Sequence, residues 1–159
     1  MIRWIILLVL ILLVSAIVYL KMGNSRPNNV GIKEDKLLSC PSSPNCVSSQ
    51  ENISNKKHYI APISYEINRP DMESLLIQYL LSSKSMTIIS NESGYIYMEV
   101  KSKKIGFIDD VEFYLPKSEK IIHVRSASRV GYSDRGVNRE RIEKIRSDLL
   151  NQSKLEQSF

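Results

Sequence analysis

The chain has 159 residues, 43% of them apolar, with a formal net charge of +5, two cysteines and two histidines. That length holds one domain with an appendage, and such a modest basic excess is weak evidence for a nucleic-acid partner. With two histidines and no second cysteine pair, no metal site is expected.

Residues 1–21 read as a transmembrane anchor. The run Trp4 to Leu20 is apolar except for Ser15 and lacks the polar face that a core helix would show. At about 1.5 Å per residue it matches a hydrocarbon core of about 30 Å. Val14-Ser15-Ala16 is a poor cleavage site because apolar residues follow it, so a retained helix is expected over a cleaved signal peptide. Lys21, Arg26, Lys33 and Lys36 outnumber the positive charge before the span, which favours a cytoplasmic domain. The cysteines favour the opposite side, and an extracytoplasmic domain is the expectation. Residues 22–37, rich in Gly, Asn and Pro, read as a linker.

A globular domain is expected over residues 38–152, opening at Cys40-Pro-Ser-Ser-Pro-Asn-Cys46. Two prolines and an asparagine turn the chain tightly, so the sulfurs can approach each other. A disulfide between Cys40 and Cys46 is the reading preferred over zinc, a catalytic thiol or two free thiols, and such a bond persists outside the cytosol.

After a strand broken by Pro62, Met72, Leu75, Leu76, Tyr79 and Leu80 fall on one helical stripe, with Asp71 as its cap. Four strands follow: 85–90, 95–100, 105–115 and 120–126, an antiparallel meander. Pairing Phe113 with Ile122 and Val111 with Val124 makes one apolar face, as does pairing Val100 with Ile105 and Met98 with Phe107. The other face then pairs Glu112 with His123 and Asp110 with Arg125. Asp109 is left pointing at the core face and needs a guanidinium, unless a bulge turns it outward. A second helix starts at Asn138, read as its N-cap, with Ile142, Ile145, Leu149 and Leu150 inward, and residues 153–159 read as a frayed tail. The fold class is α+β, a sheet of four or five antiparallel strands with two helices on one face.

Residues Arg125 to Arg141 carry five arginines, three serines, Asp134 and Asn138 in 17 positions. Arginine forks and a helix start attract anions. Two readings coexist. In one, Asp109, Asp110 and Asp134 pair with arginines such as Arg125 as an internal clamp. In the other, Arg129, Asn138 and Arg139 bind an outside anion.

The segments Cys40 to Gln50, Asp109 to Phe113 and Arg125 to Arg141, in that order, resemble the bacterial and plant family called domain of unknown function 1499, over about residues 38–152. The resemblance implies a domain and no activity. The expected function is non-enzymatic binding or scaffolding at the cell envelope, with membrane lipid contacted by the N-terminal helix and an anionic ligand or envelope protein as partner. The alternative is a hydrolase acting on an anionic lipid or envelope substrate with Asp109 and Asp110 as acid and base. No nucleophile elbow or phosphate loop is present, no cofactor is expected, and the basic residues lack the interleaved aromatics of a nucleic-acid surface.

Overall fold

A computed structural model describes residues 1–92, 94–102 and 106–156. The chain order is α1 (Ile2–Gly23), β1 (Ile32–Lys33), β2 (Lys36–Leu37), β3 (Cys46–Ser48), β4 (Ile63–Ser64), α2 (Arg69–Leu81), β5 (Met86–Glu92), β6 (Tyr95–Lys101), β7 (Ile108–Tyr114), β8 (Ile121–Ser128) and α3 (Val137–Glu156). Among the described residues α1 is the one helix long and apolar enough to cross a membrane, a property that secretory signal sequences share.

The meander β5-β6-β7-β8 is antiparallel throughout, and β8 also pairs with β3 and with β4 along its other edge. Among the described residues the sheet therefore has six strands: the meander, β4 within the expected strand broken by Pro62, and β3, three residues with no readable period. One face is apolar: Ile96, Met98, Val111, Phe113, Ile122 and Val124 are buried against Met72, Leu76 and Leu80 of α2 and Ile142, Ile145 and Leu149 of α3. Both helices thus cover one face, as their stripes require.

Several local details differ from the sequence reading. Phe113 pairs with Val124 and Val111 with Ser126, two residues away from the expected register. Met98 pairs with Val111 rather than Phe107. Both shifts are even, so every side chain keeps its face while its partner changes. The turn 101–104 and the Ile105 pairing fall partly outside the described residues. Asn68, not Asp71, caps α2, its side chain accepting from the Asp71 amide. Helix α3 runs on to Glu156, so residues 153–156 are helical.

The stretch read as a linker folds onto the domain. Residues 32–37 form the β1–β2 hairpin, and Asn24, Gly31 and Asp35 hydrogen-bond to the sheet's second face or its edges. That second face is polar and demands a cover, which no pattern of apolar residues could signal.

Candidate functional site

The ladders place Tyr95, Tyr97 and Glu99 of β6, Asp110, Glu112 and Tyr114 of β7, and His123 and Arg125 of β8 on one face. Glu112 pairs across with Arg125, and Tyr114 with His123, in place of the expected Glu112–His123 and Asp110–Arg125 pairs. Arg125 and Glu112 are 1% and 0% exposed and form an ion pair at 2.7 Å. Glu112 also accepts from the Gly31 amide at 2.6 Å and from the Tyr95 hydroxyl at 2.8 Å, so three donors hold its charge.

Arg129, just beyond β8, folds back over Asp110. Its Nε donates to both carboxylate oxygens, at 2.9 and 3.1 Å. Nη2 contacts Asp110, Glu99 and the Tyr97 hydroxyl, and Nη1 donates to the Asn24 carbonyl at 2.7 Å. Burial opposes the charge on Arg129, but Asp110 and Glu99 outweigh it and raise its pKa. Glu99, between Arg129 and Arg26, is held below the usual carboxylate range despite its own desolvation. Burial first, and the neighbouring carboxylates second, push the Tyr95 and Tyr97 phenols well up, so both act as neutral donors.

On the helix face Asp109 meets Arg141 of α3 in an ion pair. Arg141 also donates to Ser126 Oγ and Asn138 Oδ1, and the Asn138 amide reaches the Asn45 carbonyl at 2.9 Å. The ladder through Asp109 and Asp110 is regular, so no bulge brings the two acids together.

The residues expected to bind an anion therefore already have partners. Arg129 is taken up by Asp110 and Glu99. Asn138 is fully buried inside the first turn of α3 rather than capping it, because the helix starts at Val137. Arg139 donates to the carbonyls of Lys56 and Lys57. Among the described residues Asp134 pairs with no arginine: its carboxylate accepts from the amides of Gly136 and Asn138 and so occupies the anion position at the helix start. Arg135 and Gly136 take positive φ angles of 55° and 87° to make that turn.

Arg125, expected chiefly as the clamp partner of Asp110, is the exception. Among the described residues Glu112 is its one hydrogen-bond acceptor, and its buried Nε has none. An unpaired buried donor costs about 1–3 kcal/mol, more when charged. Arg125 lines a cavity of about 390 Å3 walled by Ser25, Pro27 and Asn29 on one side and by Pro41, Ser43 and Asn45 of the disulfide loop on another. Cys40 and Cys46 are joined, and Cys46 pairs with Ala127 on β8, which pins this loop beside Arg125. The Asn45 amide donates to the Ser128 and Gly131 carbonyls. The three sequence segments singled out above thus converge on one cavity. A signal for this was present: Tyr95, Tyr97 and Glu99 alternate in phase with Asp110 and Glu112, a polar face too rich to lie open.

A larger cavity, about 880 Å3, lies at the other end of the same face, lined by Tyr95, Tyr114, Ser49, His123 and several carboxylates. Ser49 Oγ lies 3.2 Å from His123 Nδ1 but also accepts the Val124 amide at 2.9 Å, which ties β3 to β8. Among the described residues no carboxylate hydrogen-bonds the imidazole, so the pair lacks the orienting third group of a catalytic triad.

Fold and site define a small α+β domain, apolar on one sheet face and ion-paired on the other, behind one long apolar helix. The chain belongs to the family described as protein of unknown function DUF1499, whose model matches residues 36–149. No curated protein and no solved structure matches it.

Two predictions follow from these contacts. Arg141→Ala strands Asp109 and should cost ~3 kcal/mol in urea unfolding of the detergent-solubilised chain, whereas Arg141→Met combined with Asp109→Leu should recover most of it. Equal losses in both variants would show that packing, not charge, matters there. Burial also holds the His123 imidazole below its ordinary value, with Glu119 opposing. Below about pH 6.5 the unfolded chain takes up a proton that folded His123 resists, so this stability is present at neutral pH and lost as pH falls. The melting temperature of the wild type should drop more between about pH 7 and 5 than that of His123→Gln; parallel curves would refute it.

Proposed function

We propose that this protein is a membrane-tethered envelope protein whose domain binds a small anionic group, a phosphate or carboxylate, at Arg125. The observation that carries the reading is Arg125, a residue 1% exposed whose buried Nε has no partner and which is among the residues lining a cavity. Its counterion Glu112 is already held by Gly31 and Tyr95, so the remaining guanidinium donors suit an incoming oxyanion. The disulfide supports an extracytoplasmic position for the domain, and α1 supports attachment to the bilayer. The hydrolytic alternative finds less support: Asp109 and Asp110 point to opposite faces, each in an ion pair with its own arginine.

Calorimetry of the full chain in detergent with inorganic phosphate or glycerol 1-phosphate tests the binding. Arg125→Lys keeps the charge but not the fork, and Asn29→Trp obstructs the cavity without touching the ion pair. Both should weaken binding about tenfold or more, the scale of a lost charged hydrogen bond. Wild-type heats indistinguishable from buffer, with water alone satisfying Arg125, would sink the reading.

Sidedness is checked with a membrane-impermeant maleimide on intact cells. Labelling of Cys40 and Cys46 should require prior treatment with an impermeant reductant. Thiols that label only after lysis, without reductant, would place the domain in the cytoplasm.

A further inference from the structure

We infer that the anion taken at Arg125 is the phosphate of a membrane lipid headgroup, an inference that rests on the binding reading above. The cavity wall begins where the apolar helix ends: Gly23, Ser25 and Pro27 line it together with Arg125 and Gly131. Helix α1 has 22 residues, about 33 Å at the α-helical rise, which spans a hydrocarbon core of about 30 Å and sets Gly23 at the interface. Ser25 and Pro27 then follow within at most about 7 and 14 Å of extended chain, at or just above a headgroup layer about 5–7 Å deep.

The domain is held down at this level. Gly23 packs so closely on Val130 that an added Cβ would lie 2.6 Å from a Val130 methyl. Asn24 bonds the Gly106 carbonyl, the Ile108 amide and, through its own carbonyl, Arg129. Residues beside Arg125 therefore cannot stand far from the bilayer. Tyr132, two residues beyond Val130, is 75% exposed, an amphipathic ring of the kind that settles among headgroups. A lipid phosphate at that depth reaches the cavity without leaving the membrane, and an arginine fork can take two of its oxygens.

The test uses the full chain in nanodiscs of phosphatidylcholine, with and without phosphatidylglycerol. Native mass spectrometry reads the lipid that stays bound on release. Three variants are compared with wild type: Arg125→Lys, Asn29→Trp, and a spacer of about ten Gly and Ser residues inserted between Lys21 and Met22. The spacer lets the domain move off the surface by about 17 Å while Gly23 and every cavity contact after it stay in place. Wild type should retain phosphatidylglycerol, and all three variants should retain about tenfold less. The spacer variant should still bind glycerol 1-phosphate as wild type does. Full lipid retention by the spacer variant, or none by a wild type that binds glycerol 1-phosphate, overturns the headgroup inference and leaves anion binding standing. Absence of both in wild type overturns the binding reading as well.

Discussion

Burial of ionised groups on the second face of the sheet is the constraint from which most of the structure follows. Asp110, Glu112, Arg125 and Arg129 are withdrawn from water on a face that carries no helix. An ion pair in such a place contributes little net stability, but losing one partner is costly. Each group must therefore meet its counterion in a defined geometry, and the chain path serves that need. Arg129 folds back over Asp110, Tyr95 and Tyr97 lend hydroxyls, and Gly31 lends an amide to Glu112. The segment between the apolar helix and the first cysteine covers this face, with the disulfide loop beside it.

Within that network the accounting closes for Arg129 and stays open for Arg125. The contrast is informative because the two lie four residues apart on the same surface. Arg129 is surrounded by two carboxylates, a phenol and a carbonyl, which leaves little for a visitor. Arg125 has one carboxylate that two other donors share, and a cavity beside it. The disulfide loop adds rigidity at that point: Cys46 is hydrogen-bonded into the sheet edge, and Asn45 is tied to the backbone beyond β8. Short-range covalent and hydrogen-bonded constraints thus hold the walls of the cavity, while charge sets what it can accept.

Much of the fold was legible because it depends on period. The stripe from Met72 to Leu80 and the alternation along β6, β7 and β8 each assign a residue to the core or away from it by spacing alone. The register was legible only modulo two, since a shift by two residues leaves both faces unchanged. That is why period puts Phe113 inward without fixing its partner, and why the acid paired with Arg125 is Glu112 rather than Asp110. Asn138 shows a second limit. Its composition suits a helix cap, yet Asp134, Arg135 and Gly136 form a turn that takes over the capping and frees Asn138 to bury its amide against Asn45. Local propensity admits both outcomes, and the contact with a residue 93 positions away decides between them.

The sequence by itself determined the apolar helix, the α+β class, the inward residues, the family and the presence of an arginine-dense stretch near buried acids. These follow from composition, periodicity and local motif, which are properties of neighbouring residues. The tertiary structure alone decided which arginine meets which acid, that residues 24–37 cover the polar face, and that Arg125 keeps an unpaired donor beside a cavity. Those outcomes depend on distances between segments far apart in the chain. Five arginines of identical chemistry can be told apart only by where the fold leaves each guanidinium and what stands within about 3 Å of it.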